Sequence, residues 1–296
     1  MRAGTAGGSV RTGTPVREAL DGAITAMGAG GCDTPRLDAE LLLAHVLGVS
    51  RERLWTDREL VVAGAAVRAF QDAVRRRSVL REPVAYIVGH RGFRHLEVMV
   101  DRRVLVPRPE TELLVEVGLT LAPGARVLDL GTGSGAVALA LAHERPDLLV
   151  SGSDISADAL EVARANGERL GLQVRWLRAD LLEGVPEEFD AVLCNPPYVA
   201  ESERPSLAPE ILRHEPPGAL FAGADGLDVI RRLAGQLRGQ GQGQGQAWGR
   251  VQLVALEVGA GQAPVVAGLL RAAGFGALRA ERDLAGTERV VVGERA

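Results

Sequence analysis

From residue 109 onward, short apolar runs alternate with stretches whose apolar residues recur at helical spacing. The apolar runs 126–130, 148–153, 173–178, 190–194, 251–257, 275–281 and 288–293 read as strands. The stretches 109–121, 134–144, 156–171, 225–238 and 261–273 read as helices. Alternation of this kind predicts an α/β architecture with a doubly wound, mostly parallel, seven-stranded sheet. No helix separates the last two strands, so one of them is expected to run antiparallel.

Residues 15–81 carry a different pattern and read as helices only. Pro15 opens a segment with Val16, Ala19, Leu20, Ala23 and Ile24 on one face, closed by Gly28 to Gly31. Asp33 or Thr34 caps a second helix through Leu37, Leu41, Leu42 and Val46, ending at Gly48, and a third spans roughly 63–80. These form a small helical bundle. Residues 84–106 alternate apolar and polar around Gly89 and Gly92, which suggests a linking β-hairpin. The resulting plan is an extension at 1–14 expected to be disordered, a helical domain at 15–83, a hairpin linker at 84–107 and a catalytic domain at 108–296. The four Gly-Gln repeats at 239–246 read as an expanded surface turn between a helix and a strand.

Composition narrows the class. With 46% apolar and 24% charged residues the chain is an ordinary globular sequence. It has no apolar run of membrane-spanning length and no apolar leader, so a cytoplasmic protein is expected. Its two cysteines, Cys32 and Cys194, make no disulfide framework, and Cys194 reads as a small buried strand residue. All 34 basic residues are arginine, and the net charge is −4. That balance lacks the bulk electrostatics of a nucleic-acid binder, so direct nucleic-acid binding is not expected. Arg75-Arg76-Arg77 reads as a solvated helix face. His90 and His95 lack a ligand set, and no metal is expected.

The candidate chemistry lies at the carboxyl ends of the strands. Asp129-Leu130-Gly131-Thr132-Gly133-Ser134-Gly135 ends the first strand of the sheet and opens a helix. Glycines there let the backbone turn sharply and approach a ligand, and a helix N-terminus favours an anion. The spacing differs from the dinucleotide pattern G-x-G-x-x-G. Asp154 ends the next strand, placed to accept bonds from two ribose hydroxyls, and Asp180 ends the third, placed to accept from an exocyclic amine. Asn195-Pro196-Pro197-Tyr198 follows the buried strand 190–194. A carboxamide nitrogen is a poor nucleophile, because its lone pair is delocalised into the carbonyl. Bonds from its N–H groups to the Asn195 side-chain oxygen and the Pro196 carbonyl would align it with an electrophile. Pro196 and Pro197 would stiffen the loop, and Tyr198 would stack on the amide plane. The residues together suggest group transfer to an amide or exocyclic amino nitrogen. Arg108 and Glu110 either line the entrance or form an ion pair shaping the linker.

Across roughly residues 15–293 the chain resembles the HemK/PrmC family of S-adenosylmethionine-dependent protein-glutamine methyltransferases. The segments that carry the resemblance are Tyr86–Gly89, Val106–Glu112, Asp129–Gly135, Asn195–Tyr198 and Arg282–Val290. It implies a Rossmann-like class I methyltransferase sheet acting on the glutamine of the Gly-Gly-Gln motif in peptide chain release factors. It also implies that Gly131, Thr132, Gly133, Ser134 and Gly135 hold the methionine part of the cofactor. Asp154 would hold the ribose and Asp180 with Leu181 the adenine. Asn195, Pro196, Pro197 and Tyr198 would hold the substrate glutamine, with Asn195, Pro196 and Tyr198 catalytic and Asn195 also at the cofactor. Two departures stand out: Leu181 where some members carry an aromatic, and His214 where the element Leu212–Pro216 usually has Phe or Tyr. The clamp also suits an adenine or guanine amino-methyltransferase acting on DNA or RNA, and a non-enzymatic cofactor-binding or scaffolding protein is a further alternative.

Overall fold

A computed structural model describes residues 13–186, 188–239 and 251–295. Residues 1–12 of the expected extension and the Gly-Gln repeats beyond Gly239 lie outside the described residues. The chain divides into two compact units, Met1–Val88 and Gly89–Ala296.

In the first unit, α1 (Val16–Ala29), α2 (Pro35–Leu47), α3 (Arg51–Thr56) and α4 (Ala65–Ser78) surround one apolar core. Helix α1 turns Val16, Leu20, Ala23 and Met27 inward, a single helical stripe. They share that core with Ala39, Leu42 and Leu43 of α2 and Phe70 and Ala73 of α4. Gly48 ends α2 in the left-handed region at φ +63°, where a residue without Cβ caps the last carbonyls at little cost. The Arg77 Nε donates to Asp38 Oδ2 at 2.7 Å, a buried ion pair joining α4 to α2.

Three expectations fail here. Arg77 does not lie on a solvated face with Arg75 and Arg76 but is buried in that pair with Asp38. The segment 15–81 is not helical throughout: β1 (Thr14–Pro15) pairs antiparallel with β2 (Val61–Val62). Residues 84–88 are also not hairpin but helix α5 (Val84–Val88). All five of its residues are apolar, so periodicity does not decide between helix and strand, and the preceding proline does. The Pro83 carbonyl accepts from the Tyr86 and Ile87 N–H groups. Only β3 (His90–Phe93) and β4 (Leu96–Met99) form the hairpin.

The second unit holds a seven-stranded sheet flanked by helices. Its strands are β5 (Arg126–Leu130), β6 (Leu149–Asp154), β7 (Arg175–Arg178), β8 (Ala191–Cys194), β9 (Leu253–Glu257), β10 (Ala277–Arg282) and β11 (Glu288–Glu294). Their order is β10-β11-β9-β8-β5-β6-β7. Its helices are α6 (Glu112–Leu119), α7 (Ala136–Glu144), α8 (Ala157–Leu170), α9 (Pro209–His214), α10 (Asp228–Gly239) and α11 (Ala263–Ala272). Strands β8 and β9 are buried along their whole length, as a parallel sheet covered on both faces requires. Strand β11 runs antiparallel to both β9 and β10. Strand and helix ends differ from the sequence reading by no more than three residues, and β5 has the bounds read from the sequence. Residues 109–111 form a separate 3-10 turn before α6, and Gly135 at φ +81° delays the start of α7.

Strand β5 pairs in parallel with β6 on one side and with β8 on the other. The chain winds outward from β5 through β6 to β7, then crosses back to β8 and β9. The crevice beyond the carboxyl ends of β5 and β8 is therefore the switch point where such sheets bind ligands.

Candidate active site

Asp129, near the end of β5, is buried and props the turn that follows it. Its Oδ2 accepts from the Thr132 hydroxyl and from the Ala138 N–H at the start of α7. Burial pushes this carboxyl up to about 6, against those two donors. The Gly131 and Thr132 N–H groups both donate to the Ser153 carbonyl of β6 at 2.8 Å, which locks the turn to the neighbouring strand. Gly131, Gly133 and Gly135 have φ of +74°, +55° and +81°, values that L side chains rarely adopt.

The three glycines then part company. A Cβ on Gly131 would meet only the Asn195 carbonyl, at 3.9 Å, and one on Gly133 would meet nothing within 4 Å. Both positions leave open room beside a cavity of about 370 Å³. A Cβ on Gly135 would instead lie 2.9 Å from the Trp176 indole. Gly135 does not line the cavity and packs at the start of α7 against Trp176.

Asp154 ends β6 and lines the cavity. Its Oδ2 accepts from the Gly133 N–H at 3.0 Å and its Oδ1 from the Ser156 N–H at 2.9 Å. A carboxylate has about four acceptor positions, so two remain for a diol. Burial raises this carboxyl above its ordinary value, and the backbone donors oppose that. Asp180 and Leu181 also line the cavity, but the Asp180 Oδ2 is held by Arg232 Nη2 at 2.7 Å. Nothing in the sequence pattern pointed to Arg232, which lies on the exposed side of α10.

Asn195, Pro196 and Pro197 line the same cavity, whereas Tyr198 does not. The Tyr198 hydroxyl points away to Glu257 Oε1, at 3.1 Å, and its carbonyl accepts from Gln262 Nε2 at 3.0 Å. Val199 pairs with Leu220 and Ala222, which stiffens the loop further. Gly226 packs so closely that a Cβ there would lie 2.2 Å from the Tyr198 carbonyl oxygen. The Asn195 Nδ2 donates to Thr111 Oγ1 at 3.1 Å. Arg108 pairs not with Glu110 but with the buried Glu215, at 2.7 and 2.8 Å, tying the 3-10 turn region to the loop after α9.

Sequence reasoning missed Thr111 and Glu257. Glu257 closes the buried run Leu253–Glu257, the same signature, an acid at the carboxyl end of a strand, that singled out Asp154 and Asp180. Among the described residues no group of three or more His, Cys, Asp or Glu could hold a metal ion, and no helix is long and apolar enough to cross a membrane.

Residues 109–223 match the family model described as Methyltransferase small domain, and residues 18–89 match PrmC N-terminal domain. The fold resembles that of a methyltransferase from Pyrococcus furiosus, with a TM-score of 0.51 at 15% identity over 78% of this chain and 97% of that one. A release factor glutamine methyltransferase of Xylella fastidiosa is 42% identical over 87% of this chain and 92% of its own length. Another, from Rhodospirillum rubrum, is 40% identical over 93% of this chain and 84% of its own length. At that identity and coverage, on this doubly wound sheet, the chain belongs to the release factor glutamine methyltransferase family.

Proposed function

We propose that this chain transfers a methyl group from S-adenosylmethionine to the side-chain amide nitrogen of the glutamine in the Gly-Gly-Gln motif of peptide chain release factors, and so acts on translation termination. The observation that carries this reading is the orientation of Asn195. With its Nδ2 donating to Thr111, its Oδ1 remains as an acceptor beside the cavity and the glycine turn.

The residues fit the cofactor. Gly131 to Ser134 offer a backbone cradle that side chains would fill, while Gly135 supports it from behind. Asp154 keeps two acceptor positions for the ribose hydroxyls, and Asp180 with Leu181 bounds the adenine. When bound, S-adenosylmethionine supplies an electrophilic methyl group. The protein's part is alignment: Asn195 Oδ1 and the Pro196 carbonyl hold the substrate nitrogen by its two N–H groups, and Pro197 restricts the loop. Tyr198 braces the clamp through Glu257 rather than forming a wall of the cavity. The same reading makes the chain cytoplasmic and requires no contact with nucleic acid or membrane.

Mass spectrometry of purified release factor after incubation with the protein and cofactor tests this. One added methyl group on the Gly-Gly-Gln glutamine is expected. Methyl label appearing in DNA or RNA and not in release factor would overturn it. Asn195→Ala is expected to lower turnover by ~10² or more while leaving cofactor affinity nearly unchanged.

A further inference from the structure

Glu257 is 1% exposed at the end of β9, and its Oε2 has no hydrogen-bond partner among the described residues. A buried carboxyl oxygen left in this way costs stability, and such groups are rare enough that their retention calls for an explanation. Its surroundings are specific. The Tyr198 hydroxyl donates to Oε1, and the Thr111 hydroxyl, which closes no full hydrogen bond to either carboxyl oxygen, still favours the ionised form together with Tyr198. Thr111 in turn receives the Asn195 amide N–H. The loop following β9 holds the opposite side of Tyr198. Gln262 Nε2 donates to the Tyr198 carbonyl, and Gln262 Oε1 accepts from the Gly259 N–H at 2.9 Å.

We propose that Glu257 is a positioning residue for the methyl transfer, one that fixes which way the Asn195 carboxamide faces by acting through the Thr111 and Tyr198 hydroxyls. This inference rests on the function proposed above. A carboxamide has one accepting and one donating end, and the network around it decides which end faces the substrate. A hydroxyl has a single proton. With Glu257 ionised, the Thr111 proton is drawn toward the carboxylate, and only lone pairs face Asn195. Asn195 must then present its NH2 to Thr111 and its Oδ1 to the cavity, where it can accept from a substrate amide. With Glu257 protonated, the carboxyl O–H can donate to Thr111 and release the Thr111 proton toward Asn195. The carboxamide can then reverse and set its own NH2 against the substrate NH2.

The charge state is set by a small circle of groups. Burial raises Glu257 most, and Glu110 raises it further. Thr111, Tyr198 and Arg289 work the other way, and the balance leaves it at about 7. The neighbouring Cys194 thiol is itself pushed up by burial and by Asp129, Asp154 and Glu257, so it stays neutral. Tyr198, pushed well up by burial and by the Glu257 carboxylate beside it, also stays neutral through the range in which Glu257 titrates. The proposed switch therefore opens the productive orientation as pH rises through about 7.

The chain contains two asparagines, Asn166 and Asn195, which makes the orientation directly observable. In cofactor-free full chain labelled with ¹⁵N-asparagine, the Asn195 side-chain NH2 resonances are expected to titrate with a midpoint near 7. Asn166, held by Met99 and Ser134, is the internal control and should stay still. The Asn195 titration should disappear in Glu257→Gln. Should that variant fail to fold, Thr111→Val should abolish it as well. Turnover of release factor by the wild type should rise about tenfold between pH 6 and pH 8 as the acid ionises, and should be lower and flat in Glu257→Gln. An Asn195 resonance that ignores pH, or one that titrates unchanged in Glu257→Gln, overturns the proposal whatever the activity. So does turnover with the same pH profile in wild type and variant. Loss of the Asn195 titration in the variant, with no methylation of release factor by the wild type, would leave the positioning role supported and reject the substrate reading instead.

Discussion

Asp154 ends β6 and Asp180 lies two residues beyond the end of β7; both line the same cavity, yet they are not equivalent. Asp154 has each oxygen engaged by one backbone N–H and keeps acceptor capacity for two more donors. Asp180 already shares its carboxylate with the Arg232 guanidinium, so an amine reaching it competes with a cation. Asp154 should therefore dominate cofactor affinity. Hydrogen bonds to a charged group contribute ~1.5–3 kcal/mol each, so Asp154→Ala is expected to weaken S-adenosylmethionine binding at least tenfold. Calorimetry on the purified variant measures this directly, and an unchanged dissociation constant would remove Asp154 from the ribose site. Both acids were legible in the sequence because an acid ending an apolar run is a strong local signal. What the sequence did not show was their partners. Arg232 comes from α10, 52 residues beyond Asp180, and spacing along a chain carries no information about such a contact.

At the level of elements, the glycine turn is a packing solution before it is a binding site. Strand β6 passes under it at Gly152, where a Cβ would lie 2.5 Å from Trp176 and 2.9 Å from the Thr132 hydroxyl. The Trp176 ring, from β7, thus fills the space that a side chain at 152 would take, and supports Gly135 from the same side. Gly152→Ala overpacks this contact, and overpacking of a core typically costs about 1–3 kcal/mol. Its thermal midpoint should fall by several degrees, and cofactor affinity should fall with it because Thr132 is displaced. A variant with unaltered melting and binding would show that the turn does not depend on Trp176. The single helical stripe of α1 was readable from residue order alone, and β8 and β9 were readable as short apolar runs set within a strand–helix alternation. Helix α5 was not, because five consecutive apolar residues suit either period and only the Pro83 carbonyl, accepting two N–H groups, decides. The partner of Tyr198 was hidden for a related reason. The sequence places an aromatic after two prolines but does not say which way the ring points, and its hydroxyl is claimed by an acid 59 residues away.

At the scale of the molecule, the residues proposed for the cofactor all fall in one of the two units. Every residue assigned to the cofactor lies after Leu130, within the unit Gly89–Ala296. The unit Met1–Val88 has its own apolar core and its own buried ion pair, and it contributes none of those residues. A specific protein complex buries about 1,200 Å² or more, which exceeds what one glutamine loop entering a pocket can supply. We propose accordingly that the helical unit selects the protein substrate. A chain beginning at Gly89 is expected to bind S-adenosylmethionine with near-normal affinity but to methylate release factor poorly at limiting substrate. The defect should appear in kcat/KM and shrink as release factor is raised toward saturation, because uniform binding is what has been removed. If the shortened chain retains full kcat/KM on intact release factor, the helical unit is not the recognition module, and the contact area must come from the surface around the clamp itself.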